Sequence, residues 1–145
     1  MRISVTDKQN VSYDYWVLKF NAANELQWNK TYGGTDDDRG SEIIQTQDGG
    51  YAILGFSLSN DEDVSENSGA QDYWVAKLDA TGNISWQKSF GYSGSDTGIA
   101  LTQATDGDYL VTGVLDVTAS GGLGNTKNNA ALHAGGDYWA VKLNA

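Results

Sequence analysis

The chain of 145 residues has no cysteine, no proline and a single histidine, His133. Without cysteine it forms no disulfide, no thiolate metal site and no cysteine nucleophile. His133 lies in a polar connection between Asp116 and Gly136, where we expect an exposed loop residue. One histidine per chain excludes a multi-histidine metal centre and gives no basis for a histidine-based catalytic triad.

The chain also has little positive charge and no long apolar run. Nine basic residues stand against nineteen acidic ones, and the net charge of -10 repels nucleic-acid phosphates and anionic lipid. No apolar run approaches the roughly 20 residues of a membrane span, and no basic-then-apolar leader begins the chain. We therefore expect a soluble, mature or recombinant domain with no nucleic-acid partner and no membrane insertion.

What the sequence does contain is an internal repeat. Asp-Tyr-Trp occurs at 14–16, 72–74 and 137–139, and the first two copies are 58 residues apart, from 14 to 72. The same shift relates five further pairs: Trp28 and Trp86, Asp38 and Asp96, Asp48-Gly49 and Asp106-Gly107, Tyr51 and Tyr109, Gly55 and Gly113. We interpret residues 1–145 as a single repeat array, with repeat 1 at 14–71, repeat 2 at 72–136 and a partial third repeat at 137–145.

Each repeat contains four short runs rich in aromatic and β-branched residues. In the first repeat they are YWVLKF (15–20), LQWNKTY (26–32), SEIIQTQ (41–47) and YAILGFS (51–57). This composition, bounded by Gly, Asn or Asp, is typical of β-strands, and QDGGY supplies the positive φ of a tight hairpin. The repeat predicts a four-stranded antiparallel meander in an all-β fold. The one helical turn that we expect lies in KNNAALHA (127–134).

Neither face of these strands is expected to contact solvent. In YWVLKF, Trp16, Leu18 and Phe20 point to one face. Tyr15 and Val17 point to the other. Propeller blades cover both faces of each sheet with copies of themselves, whereas sandwich strands normally leave one polar face and solenoid rungs are shorter and more uniform. The pattern therefore predicts β-propeller-type blades.

The motif DYWVxKLDxxGNIxWQKxxGG, followed by QTxDGGYxxxG, covers nearly the whole chain. It resembles the DYWVxKLD/QTxDGGY repeat family of secreted and surface proteins of Bacteroidetes, whose repeats are propeller-like. This resemblance implies a bacterial extracellular or cell-surface location. The order of the hairpins also resembles quinoprotein-type propellers. That analogy makes SEIIQTQ and YAILGFS inner strands a and b, and DYWVAKL and ISWQKSF outer strands c and d.

This strand assignment leaves the propeller incomplete within one chain. The order is c-d, then a-b-c-d, then a-b-c, with RISVT as the tail of an earlier b strand. That makes about two and a half blades, whereas closed propellers typically have about 4 to 8. The chain is then either a fragment of a longer array or one copy of a homo-oligomer, a dimer or a trimer, whose copies complete each other's blades.

The acidic stretch SNDEDVSENSGAQDYWVAKLD (59–79) is a candidate calcium loop. Its alternating oxygen side chains are those of Asp61, Asp63, Ser65 and Asn67. They have the spacing of D-x-D-x-S calcium loops, and Asp72 or a carbonyl near Ala70 would complete the shell. The resembled family has Gly where this chain has Glu66, which weakens the pattern. The alternative is a solvated b-c connection whose acids aid solubility.

Two other sets of charged residues recur. Asp36, Asp37 and Asp38 precede an inner strand, and Asp96 repeats the last of them. Two carboxyl groups at a defined separation would suit a glycosidase, but recurrence in register favours a cap for the loop before strand a. One lysine recurs in each DYW strand, and the three are Lys19, Lys77 and Lys142. We interpret these lysines as packing stems with a surface charge.

These patterns favour a non-catalytic extracellular or surface module for interaction or scaffolding, built of propeller blades that close through self-association. No cofactor other than calcium is implied, and no enzyme is expected. The alternative is a lectin-like carbohydrate-binding propeller, because aromatic rings stack on sugar faces. Tyr92, which replaces the second glycine of a Gly-Gly pair, is a candidate exposed ring. The expected partners are further copies of the chain and a protein or glycan ligand.

Overall fold

The computed structural model describes residues 2–7, 12–91, 94–115 and 137–145. The predictions for Tyr92, His133 and KNNAALHA lie outside these ranges. The ranges contain ten strands: β1 (Arg2–Asp7), β2 (Tyr13–Phe20), β3 (Leu26–Tyr32), β4 (Asp38–Gln45), β5 (Tyr51–Ser57), β6 (Asp72–Leu78), β7 (Ile84–Phe90), β8 (Thr97–Gln103), β9 (Tyr109–Leu115) and β10 (Asp137–Leu143). They contain no helix, which confirms the all-β prediction for the described residues.

The strands form three antiparallel sheets. The first sheet has the order β1-β2-β3, the middle sheet β4-β5-β6-β7 and the third sheet β10-β9-β8. The middle sheet is a four-stranded meander, because strands adjacent in the sheet are adjacent in the chain. Each of the first two sequence repeats gives two strands to one sheet and two to the next. Within the described ranges no sheet closes on itself and no closed propeller is formed.

β1 forms where the sequence predicted a strand, whereas β4 begins earlier than predicted. β1 contains RISVT and pairs with β2 in antiparallel register. Its assignment as strand b of an earlier blade stays a prediction. The third run was predicted at 41–47, but β4 begins at Asp38, because Asp38 pairs with Ser57 and the strand continues through a bulge between Gly40 and Glu42. It ends at Gln45 because Thr46 begins the hairpin turn, donating its N–H to the carbonyl of Gly50.

The core consists of two layers, one on each face of the middle sheet. Tyr51 and Ile53 of β5 face the first sheet, whereas Ala52 and Leu54 face the third. The alternation follows from the two-residue period of a strand. Every residue of β6 is buried. The middle sheet therefore has apolar cover on both faces, as the absence of a polar strand face in the sequence predicted.

Successive sheets meet through the same close contact. Tyr15 of β2 lies over Gly55 of β5, where an added Cβ would be 2.5 Å from the tyrosine oxygen. Tyr73 of β6 lies over Gly113 of β9, where the corresponding distance is also 2.5 Å. A side chain at either glycine would collide with the tyrosine hydroxyl and, more closely, with the backbone carbonyl of the neighbouring strand, which is that of Arg39 at 2.0 Å or Thr97 at 2.1 Å. This explains why glycine recurs at both positions.

Candidate functional site

The loops between sheets gather acidic side chains at one end of the molecule. Thr35 lies in the loop between β3 and β4, and its N–H and hydroxyl donate to the Asp61 carboxylate at 2.9 and 2.8 Å. Asp63 exchanges longer hydrogen bonds with the backbone of Gly33, at 3.3 and 3.4 Å. The connection between β5 and β6 is thus fastened to the loop that enters β4.

The other two candidate calcium ligands point elsewhere. Ser65 Oγ accepts a hydrogen bond from Gln87 of β7 at 2.5 Å. The Asn67 amide donates to the carbonyls of Ser57 and Ser59 at 3.0 and 3.1 Å, which turns its nitrogen toward the end of β5. The four side chains do not converge, and the described residues contain no group of three or more acidic or histidine side chains placed to hold a metal. Calcium binding stays a prediction.

The connection from 58 to 71 holds two non-glycine residues in the left-handed backbone region. Glu62 has φ of 52° and Glu66 has φ of 65°. L-residues with a Cβ disfavour this conformation, which glycine adopts freely. Glu66 occupies the place of the glycine in the resembled repeat family, so the turn that a glycine would make is present with a glutamate. The Glu66 carboxylate pairs with Lys88 at 2.6 Å.

Asp38 is a fully buried carboxylate that holds two loops together. It accepts hydrogen bonds from the Gly34 N–H at 2.7 Å, from the Ser59 hydroxyl at 2.8 Å and from the Ser57 hydroxyl. Burial raises the pKa of Asp38, and these hydrogen bonds oppose the rise because they favour the charged form. These are the contacts of a residue that caps the loop before β4.

The repeated aspartates form two matching pairs that sequence reasoning missed. A Cβ on Gly33 would lie 2.5 Å from Asp38 Oδ2 and 2.8 Å from Asp14 Oδ1. A Cβ on Gly91 would likewise collide with the carboxylates of Asp72 and Asp96. In each of the first two repeats, the DYW aspartate therefore lies beside the aspartate at the start of β4 or directly before β8. The signal was available, because both residues recur with the 58-residue shift.

Among these paired aspartates, Asp72 has the clearest shift in pKa. Burial raises its pKa to about 6, the charge of Asp96 adds to the rise, and the N–H of Ser68, at 2.7 Å from Oδ2, opposes it. Both carboxyl groups are 0% exposed. A glycosidase acid must reach the glycosidic oxygen of its substrate. This pair does not reach the surface, so its geometry suits a structural role.

Two of the three repeated lysines fasten a-b turns, whereas Lys19 donates to Gln27 of β3. Lys77 is buried and donates to Asp48 Oδ2 at 2.8 Å and to the carbonyl of Leu78 at 3.0 Å. Lys142 makes the same ion pair with Asp106 at 2.8 Å, but it is exposed. The hydrogen bond from Lys77 is the largest cause that holds the pKa of Asp48 well below its usual range. The recurring motif therefore ties strand c to the turn between a and b.

The end sheets carry nearly all of the exposed large apolar side chains. In the described ranges these are Tyr13, Phe20 and Leu26 in the first sheet, Ile99, Leu110 and Tyr138 in the third, and Leu58 after β5. Tyr138 stands out because 92% of its surface is exposed. None of the set lies on a strand of the middle sheet, which has a neighbour on each face.

A cleft of about 290 Å³ lies between β7, the edge strand of the middle sheet, and the end of β10 in the third sheet. Its lining residues are Trp86, Gln87 and Lys88 from β7 and Leu143, Asn144 and Ala145 from the end of β10. The equivalent tryptophan, Trp28, contacts a turn of the middle sheet. Its Nε1 donates to the carbonyl of Ala80 at 3.3 Å, and its ring lies against Gly82.

Neither the known protein-family models nor the curated protein sequences give a match to this chain. The resemblance to surface repeat proteins therefore stays a prediction made from the motifs. In the part of the chain that the structure describes, no helix has the length and apolar character needed to cross a membrane.

Proposed function

We propose that this chain is a non-catalytic interaction or scaffold module of the bacterial cell surface or extracellular space, built of propeller blades. The observation that carries the proposal is the middle sheet, a four-stranded meander covered on both faces by its neighbours. Propeller blades have this strand order and this double cover. The three sheets are then successive blades, of which the middle one is complete.

Repeated ring contacts support the blade arrangement. Tyr15 of the first sheet meets Trp74 of the middle sheet edge to face, with ring centroids 4.9 Å apart. Tyr73 of the middle sheet meets Trp139 of the third, with centroids 5.9 Å apart. The tyrosine and the tryptophan of the DYW motif join both pairs of sheets. A blade thus provides a tyrosine from one face and receives its neighbour's tyrosine against the tryptophan on its other face.

Self-association completes the module. Three sheets are fewer than the roughly four to eight blades of closed propellers. Exposed apolar side chains of both end sheets, such as Phe20 in the first and Tyr138 in the third, would be covered if further blades packed on them. We propose a homo-oligomer, a dimer or a trimer, that closes the ring and presents its loops to a protein ligand.

Light scattering of the purified chain tests this function. A mass of two or three chains at micromolar concentration, together with a ring in negative-stain images, is the expected result. A stable monomer over the whole concentration range would contradict the self-assembling module. Fibres without rings would contradict closure.

A lectin-like function is the second candidate, and the cleft at Trp86 favours it. A tryptophan face beside Gln87, Lys88 and Asn144 combines a stacking surface with hydrogen-bonding groups. A glycan array probed with the wild-type chain and with Trp86→Ala tests it. Binding that the substitution removes would support a lectin, whereas an array without hits would leave the scaffold proposal alone.

A further inference from the structure

We infer that the third sheet binds the first sheet of a second copy head to tail, with Tyr138 of one chain seated against Trp16 of the other. The inference rests on the proposed self-assembling function and adds the two faces that meet. It names one occupant for the exposed face of the third sheet.

The donor side of this contact is the third copy of a repeated tyrosine. Tyr15 and Tyr73 occupy the same place in their repeats, and both are fully buried against the sheet that follows. Tyr138 holds the same place in β10 and is 92% exposed. Leu110 on the neighbouring strand is 40% exposed, so the tyrosine belongs to an apolar surface. Its two equivalents identify what covers such a ring, namely another blade of this repeat.

The acceptor side is identified by register. Trp74 pairs with Gly55 across β5 and β6 and receives Tyr15. Trp139 pairs with Gly113 across β9 and β10 and receives Tyr73. Trp16 pairs across β1 and β2 in the same register, and in the described ranges no sheet packs on that face of the first sheet.

The two unpaired faces are therefore complementary. Among the described residues, no tryptophan ring meets Tyr138 at one end of the molecule and no tyrosine ring meets Trp16 at the other. Joining them repeats an interface that the chain already makes twice internally. Because the two faces differ, the contact is heterologous, which builds rings if the rotation closes.

Site-directed cross-linking tests the contact, and the cysteine-free chain suits it. Chains carrying Tyr138→Cys are mixed with chains carrying Trp16→Cys and treated with a short bismaleimide, whose length allows for the distance between two ring-bearing positions. The expected result is a cross-linked pair only in the mixture. Leu58→Cys replaces Trp16→Cys in the control mixture, because Leu58 is exposed but lies on neither face.

Substitutions give a second readout that does not depend on the cysteine variants. Tyr138→Ser should weaken association by roughly tenfold or more, since buried aromatic anchors dominate interfaces. Tyr13→Ser is the matched control, because Tyr13 is also exposed but stacks on Arg39 within its own chain. Its association should stay unchanged.

The outcomes separate this inference from the function on which it rests. If the wild-type chain is a monomer at all concentrations, both the head-to-tail contact and the self-assembling module are wrong. An oligomer that persists in Tyr138→Ser, or that cross-links through Tyr138→Cys alone, overturns the head-to-tail contact and leaves the self-assembling module standing.

Discussion

The buried carboxyl groups of Asp72 and Asp96 cost the folded chain free energy whenever both are ionised. They are close together, both are shielded from water, and like charges repel more strongly in the interior than in solvent. The N–H of Ser68 offsets part of this cost. Protonation of Asp72, whose pKa is about 6, removes the repulsion below that pH.

Folding stability should therefore rise as the pH falls from 7 to 5. The pKa of Asp72 is higher in the folded chain than in the unfolded chain, so the folded state binds the proton more tightly. The resulting stabilisation is fully present below the unfolded pKa near 4 and is lost as the pH rises through about 6. Its size is about 1 to 3 kcal/mol, measured by chemical denaturation at each pH.

Asp72→Asn should raise stability at pH 7 and flatten this part of the pH profile, because the amide carries no charge. Asp79→Asn is the control. Hydrogen bonds hold the pKa of Asp79 well below its usual range, so its contribution is constant between pH 5 and 7. That variant should keep the wild-type slope. A slope that survives in Asp72→Asn would assign the titration to another group.

Glu66→Gly should stabilise the chain by about 0.5 kcal/mol. Relief of the left-handed backbone at φ of 65° favours glycine by about 1 to 2 kcal/mol, and the greater freedom of glycine in the unfolded chain offsets about 0.5 to 1 kcal/mol. Glu66→Ala removes the same carboxylate but keeps the strain, so it should give no gain. Thermal melts compare the melting temperatures of Glu66→Gly and Glu66→Ala. Equal values would contradict the argument from backbone strain.

At the scale of the element, the lysine that joins strand c to the a-b turn is buried in one repeat and exposed in the next. Lys77→Met should destabilise the chain by about 1 to 3 kcal/mol, because it leaves the buried carbonyl of Leu78 without its side-chain donor. Lys142→Met changes the same motif position where the side chain is exposed, and it should have little effect. Urea denaturation of both variants provides the comparison, and similar losses would show that burial is not the cause.

The calcium hypothesis concerns the connection between β5 and β6. Its acids already accept hydrogen bonds from the loop before β4, and Asn67 turns its nitrogen toward the carbonyls of Ser57 and Ser59. These contacts favour the solvated connection, for which millimolar calcium leaves the melting temperature unchanged. A rise in wild type that is absent in Asp63→Ala and is not reproduced by magnesium would instead support a calcium site.

The strands show what the sequence could predict and what it could not. The runs at 26–32 and 51–57 match β3 and β5, because apolar periodicity and turn residues mark both ends of these elements. The start of β4 was missed because a bulge lets the polar residues Asp38 and Arg39 continue the ladder. The calcium pattern relied on spacing in the chain, whereas the direction of each side chain depends on partners from other sheets, such as Gln87 for Ser65.

At the scale of the whole molecule, charge opposes assembly. Each chain carries a net charge of -10, so two copies repel each other before their apolar faces meet. Raising the salt concentration from about 0.05 M to about 0.3 M shortens the Debye length and should strengthen association severalfold. Sedimentation at both salt concentrations measures this. Association that weakens with salt would point to ion pairs between copies and against the apolar contact.

The offset between sequence repeats and sheets has a consequence for how such a chain changes in length. Each of the first two repeats gives its first two strands to one sheet and its last two to the next. Deleting residues 14–71 would therefore place β6 beside β1, where it would replace β2 as strand c, and the hydrogen-bonded ladder would be preserved. Whole repeats are thus interchangeable copies within the ladder. A gene that gains or loses one unit by unequal recombination would still encode complete strand pairings, so blade number can vary without a new fold.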